Sequence, residues 1–150
     1  MKDEFVQFVF ILIALVVSAA AEEILPAFAG VGIPLLMALV MVTAPRMGVL
    51  PGVITAVGAG AFEDALASLP PMTSVCFFVI VALLSRREYF PRMFLIAAFP
   101  LFEIWSGLCV FGPMGDLFVR VLVSLPLGAA ALAVQGVTLD WAGRRAGIDE

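Results

Sequence analysis

Six apolar runs follow one another along the chain, and charge or proline separates each from the next. The first covers about 5–21 and stops at Glu22-Glu23. The second covers about 28–44 and stops at Pro45-Arg46. The third covers about 49–67 and takes in Glu63-Asp64 near its end. The fourth covers about 71–84 and stops at Arg86-Arg87. The fifth covers about 93–111 and the sixth about 117–141. A bilayer core about 30 Å thick takes about 20 residues of helix, and these runs cluster around that length. The pattern predicts an all-α integral membrane protein, a compact bundle of six transmembrane helices forming one domain over residues 1–150. The short connections fit neighbouring helices that alternate in direction.

The basic residues set an orientation. Lys2 precedes the first run, and Arg46 lies between the second and third. Arg86, Arg87 and Arg92 lie between the fourth and fifth, and Arg144 and Arg145 follow the sixth. With six spans, these seven of the eight basic residues share one side. Glu22, Glu23, Glu63, Asp64 and Asp116 fall on the other, with Arg120 the exception among the basic residues. Cytoplasmic loops carry the excess of Lys and Arg, so both termini are expected in the cytoplasm. A competing reading takes Ser18-Ala19-Ala20-Ala21 as a signal-peptide cleavage region. Asp3 and Glu4 outnumber Lys2 in front of it, which is a poor start for such a signal, and cleavage would leave five spans.

Composition agrees with a lipid-solvated chain. Hydrophobic residues make up 63% and charged residues 13% of the 150, against about half and about a quarter in soluble domains. No basic patch interleaves with aromatics, so nucleic acid is not an expected partner. Cys76 and Cys109 sit inside apolar runs and read as small buried hydrophobes, with no disulfide or metal framework. No cofactor is expected.

Two features depart from plain hydropathy. In the third run Gly48, Gly52, Ala56, Gly60 and Asp64 recur every fourth residue, which places them on one stripe of a helix. Small residues on a stripe let a second backbone approach closely, the usual way membrane helices pack. The stripe serves either packing inside the chain or docking of a partner. The second feature is Glu103, eleven positions past Arg92 and hence about 16 Å deep, near the midplane. A charged acid there costs at least about 2.5–3.5 kcal/mol, so it must be protonated, paired or beside water. Arg120 is the basic residue placed to reach it from the outer side. Glu103 then either locks the bundle or forms a ligand, ion or proton site. Asp116 reads as a loop residue of the Gly112–Gly115 turn.

Catalytic arrangements are eliminated one by one. The chain has no histidine, so a Ser-His pair is excluded. Its one lysine, Lys2, lies outside the bilayer, so a Ser-Lys dyad is excluded as well. Asp64 and Asp116 lie near one surface and Asp140 near the other, so no aspartyl dyad forms within the membrane. No glycine-rich motif cradles a nucleotide. The expectation is a protein without enzymatic activity.

The segment from Pro34 to Arg87 resembles the MreD family, the rod shape-determining membrane proteins. The likeness lies in an apolar second helix, the Pro45-Arg46 corner, a glycine-striped third helix ending in Asp64, and a short apolar helix running into Arg86-Arg87. The resemblance implies a scaffold of the bacterial cell-elongation machinery, acting in cell shape and lateral wall synthesis. Its implied partners are an MreC-like membrane protein, an MreB-like filament, a wall transglycosylase and a penicillin-binding transpeptidase. Arg46, Gly52, Gly60 and Asp64 are the signature positions it implies, acting in packing and docking. Two alternatives come from another class. One is the substrate-binding subunit of an energy-coupling-factor vitamin transporter, also a small six-helix bundle. Against it, the outer loops are short and poor in hydrogen-bonding side chains. The other is a small carrier or channel built around Glu103.

Overall fold

The computed structural model describes residues 2–87, 95–110 and 114–146. Within them the chain is all-helical, with six α-helices: α1 (Lys2–Ile24), α2 (Leu35–Thr43), α3 (Val49–Leu66), α4 (Thr73–Ser85), α5 (Ala98–Val110) and α6 (Leu117–Ala146). Short 3₁₀ turns at Ala44–Arg46 and Met114–Asp116 precede α3 and α6. Three stretches are long and apolar enough to cross a membrane: Phe5–Ile24, Val49–Leu66 and Leu117–Arg145. Leu35–Arg46, Thr73–Ser85 and Ala98–Val110 are apolar but shorter.

The second apolar run differs from its expected form. It was expected to be helical from about residue 28, but helix begins only at Leu35. The ten residues before it lack helical backbone, and Phe28 and Val31 form an isolated antiparallel bridge. Pro26, Gly30, Gly32 and Pro34 explain this. Prolines withhold N–H donors, and Gly30 takes a left-handed φ of +78° that glycine adopts without steric cost. Hydropathy counts these residues as neutral or apolar and does not register their backbone preferences. The remaining boundaries shift by a few residues. Met72, at φ +72°, turns the chain into α4 after Pro70-Pro71, and α6 runs to Ala146 with Pro126 inside it. The start of the fifth run at residue 93, its end at 111, Arg92 and Gly112-Pro113 lie outside the described residues.

Short α2 is the centre of the molecule. Leu36, Ala38, Leu39 and Val40 are fully buried, and a helix apolar all round belongs in a core. It packs against α1, α3, α4 and α6, while α3 pairs with α4 and α5 with α6. Gln135 of α6 ties three helices together. Its Nε2 donates to Ser18 Oγ of α1 at 2.7 Å and to the Leu35 carbonyl of α2 at 3.2 Å. Phe99 of α5 lies across Gly128 of α6, where an added Cβ would come 2.2 Å from the ring. The outer faces of α1 and α6 stay apolar and uncovered, with Phe5, Ile13, Phe118 and Val137 all more than half exposed.

Candidate functional site

The small-residue stripe of α3 faces the interior of this chain. Gly48 is exposed and stands just ahead of α3, with its carbonyl accepting from the Gly52 N–H. Gly52 is buried, and a Cβ there would lie 3.7 Å from both the Ala44 backbone and Arg86 Nη1. Both are ordinary contacts. Arg86 Nη1 donates to the carbonyl of Ala44 at 2.9 Å and also to that of Met47. Both carbonyls flank the Pro45-Arg46 corner, where proline has removed a backbone donor. Ala56 is fully buried. Gly60 makes the closest approach: a Cβ would sit 2.5 Å from Val75 Cα and 2.6 Å from its nitrogen. That is a backbone-to-backbone contact between α3 and α4.

Asp64 completes the stripe. It is 7% exposed, and its Oδ1 accepts from the Ser74 N–H in the first turn of α4 at 2.7 Å. The first N–H groups of a helix have no partner within it, and a carboxylate there also faces the positive end of the helix dipole. The stripe therefore holds the start of α4, by backbone contact at Gly60 and by the carboxylate at Asp64. Arg46 takes no part in this clamp. Its Nη2 lies 2.6 Å from Asp140 Oδ1 of α6, with both side chains about half exposed (49% and 50%).

Glu103 and Arg120 meet across α5 and α6. Arg120 Nη2 lies 2.8 Å from Glu103 Oε2. The two charges attract, but the guanidinium stands off the line of an N–H bond: among the described residues neither Glu103 Oε2 nor Arg120 Nε has a hydrogen-bond partner. Glu103 is 7% exposed. Arg120 is 38% exposed along its side chain.

Both residues line a cavity of about 940 Å³. It lies where α1 and α3 end and α6 begins. Its walls include the non-helical segment before α2, through Leu25, Ala29, Gly32 and Pro34. Its polar groups include Glu22, Glu23, Glu63, Ser106 and Asp116. Glu22 has a structural duty as well, since its Oε1 accepts from the Leu36 N–H in the first turn of α2 at 2.6 Å. The Glu22 and Glu63 carboxyls come within hydrogen-bonding reach of each other. Asp116, expected as a plain loop residue, contributes to the same wall. Helix ends supply most of the polar lining, through Glu22, Glu23, Glu63 and Asp116. The arrangement of Glu22 and Glu63 was not legible in the sequence, where both mark the ends of apolar runs. The available signal was the density of Gly and Pro between 26 and 34, which forbids helix there.

No grouping of three or more His, Cys, Asp or Glu that could hold a metal ion occurs among the described residues. No family model, curated protein or solved structure matches the chain.

Proposed function

We propose that the chain is a multi-pass bacterial inner membrane protein with six spans and both termini in the cytoplasm, and that it acts as a non-enzymatic scaffold of the cell-elongation complex, in the manner of MreD. What supports the topology is the separation of charge. Arg46, Arg86, Arg144 and Arg145 lie near one end of their helices, and the acids around the cavity lie near the other. The shorter helices complete the crossing together with their flanking turns and with the non-helical segment before α2. Such backbone is tolerated at membrane depth where it is buried in protein or borders a wet cavity.

One observation supports the scaffold role above the others. Apart from the Arg46 side chain, which pairs with Asp140, residues that carry the resemblance connect α2, α3 and α4: Arg86 holds the Pro45-Arg46 corner, Gly60 touches the α4 backbone, and Asp64 holds the start of α4. The motif thus ties three helices together, and in this reading docking to an MreC-like membrane protein, an MreB-like filament and the wall synthases falls to the surfaces around them. Depleting the protein in the bacterium that encodes it should round the cells and disperse the MreB-like filament. Tagged full-length chain should co-purify with the MreC-like protein. Cells that keep their rod shape and their rate of lateral wall synthesis after depletion overturn this reading.

A further inference from the structure

α6 is 30 residues long. At about 1.5 Å per residue it measures about 45 Å, the thickness of a bilayer with both headgroup layers, about 40–45 Å. It starts directly after the Met114–Asp116 turn. When α6 crosses the bilayer, its last turns therefore lie in the headgroup layer of the opposite surface. That layer is rich in phosphate, and the last turn of α6 carries Arg144 and Arg145.

One apolar face of the helix runs into these arginines. Val134, Val137, Trp141, Arg144 and Arg145 follow helical spacing, which puts them on one side of α6. Val134, Val137 and Trp141 are 56%, 71% and 52% exposed, so among the described residues no other helix covers them. Both arginines are exposed as well. The Arg145 guanidinium lies over the Trp141 ring, 4.0 Å from its centroid. Tryptophan gathers at the membrane–water boundary, where one end of its ring system meets apolar chains and the other meets headgroups. The apolar stripe thus ends at Trp141 and passes into charge within one turn.

The local charge is positive. Among the described residues, neither Arg144 nor Arg145 forms an ion pair. Asp140, one turn earlier, is held by Arg46 at 2.6 Å, and that pair brings a third guanidinium to this end of α6. Arg144 Nε donates to the Asp140 carbonyl at 3.2 Å, which anchors the side chain without neutralising it. Asp149 and Glu150 follow in the sequence, outside the described residues. An apolar stripe alone accepts any lipid. One that ends in Arg46, Arg144 and Arg145 against Asp140 is complementary to a negative headgroup, and guanidinium groups offer the paired N–H donors that fit phosphate oxygens.

We propose that this end of α6 is a binding site for an anionic phospholipid. Its phosphate lies on Arg144 and Arg145, its glycerol region lies at Trp141, and one acyl chain runs along Val137 and Val134. The inference needs only that α6 crosses the bilayer. It is independent of which surface faces the cytoplasm and of the wall-synthesis partners.

Tryptophan quenching by brominated lipid tests it. The chain has two tryptophans, so full-length protein carrying Trp105→Phe leaves Trp141 as the reporter. It is placed in bilayers that mix phosphatidylglycerol with phosphatidylcholine, with bromine on the acyl chains of one or the other. Bromine quenches tryptophan on contact, so the two series report which lipid stands beside Trp141. Phosphatidylglycerol is expected to be enriched there at least about fivefold, the scale set by one arginine at a charged lipid surface. Arg144→Gln together with Arg145→Gln should bring the two lipids close to parity. Arg144→Lys with Arg145→Lys keeps the charge and should keep most of the enrichment, which separates lost charge from a disturbed fold. Arg87→Gln removes an exposed arginine beyond the end of α4 and should leave the enrichment unchanged. Parity in the parent protein overturns the proposal, and is the result expected if Asp149 and Glu150 neutralise the pair. It is overturned equally by a loss with Arg87→Gln as large as with the glutamine pair, or by loss in the lysine variant. Trp141 quenched by neither lipid would mean that protein covers the stripe, and overturns it too. Failure of the rod-complex reading alone would leave the enrichment intact.

Discussion

The carboxylate of Asp64, in the last turn of α3, accepts a hydrogen bond from the backbone N–H of Ser74 in the first turn of α4, at 2.7 Å and almost wholly out of solvent. Ten residues separate them, and the Leu69-Pro70-Pro71-Met72 link lies between. With Gly60 against Val75, this contact fixes how α3 and α4 pack.

Asp64→Ala removes the acceptor and leaves a buried donor in the first turn of α4. The expected loss is about 1–3 kcal/mol of stability. Asp64→Asn keeps an oxygen acceptor in the same place and should cost less, the difference reflecting the dipole term of about 0.3–1 kcal/mol. Unfolding in mild detergent, followed by fluorescence of the two tryptophans, separates the variants. Equal losses for Ala and Asn would show that the Ser74 bond does not stabilise the fold.

Gly60→Ala forces the α4 backbone to move, because a Cβ would sit 2.5 Å from Val75 Cα. Overpacking of that kind costs about 1–3 kcal/mol. Gly58→Ala puts its Cβ 3.7 Å from a Leu15 methyl, an ordinary contact, and should be neutral or slightly stabilising through helix propensity. The larger pair, Gly60→Leu and Gly52→Leu against Gly58→Leu, should keep the same order. The same unfolding measurement applies, and equal effects at positions 58 and 60 would remove the stripe as a packing surface.

The two arginines of the corner should behave differently. Arg46 and Asp140 form a half-exposed pair, worth about 0.2–1 kcal/mol. Arg86 satisfies the carbonyls of Ala44 and Met47, so Arg86→Ala leaves acceptors unpaired and should cost about 1–3 kcal/mol. Thermal unfolding of Arg46→Ala and Arg86→Ala ranks them. A larger loss at Arg46 would reverse the roles assigned here.

Glu103→Leu takes from Arg120 its partner at 2.8 Å. The loss should be about 1–3 kcal/mol, moderated because the guanidinium keeps part of its contact with solvent. Glu103→Gln retains the shape and should be tolerated in stability. Cell-shape complementation by the Gln variant then separates two roles. Retained function means Glu103 locks the bundle, and lost function with intact stability means its charge is used.

A reporter fused after Ile148 should behave as cytoplasmic, and one inserted near Glu22 should behave as exported. An exported C-terminus would break the six-span topology, since it requires one of the shorter helices not to cross.

Hydropathy carried the helical character of this chain, because apolar runs of about membrane-crossing length separated by charge or proline mark helices whether they face lipid or one another. The fourfold spacing of Gly48, Gly52, Ala56, Gly60 and Asp64 was equally legible, since periodicity alone puts them on one face. Tertiary structure decided what that face meets. Whether Gly60 admits a helix of the same chain or of another depends on where the Pro70-Pro71 link sends α4, a long-range outcome that periodicity does not encode. It also decided that residues 25–34 wall a cavity and that Glu22, Glu63 and Glu103, far apart in sequence and on three helices, share it. Burial of a carboxyl is a property of its neighbours in space, and those neighbours exist only once the helices have packed.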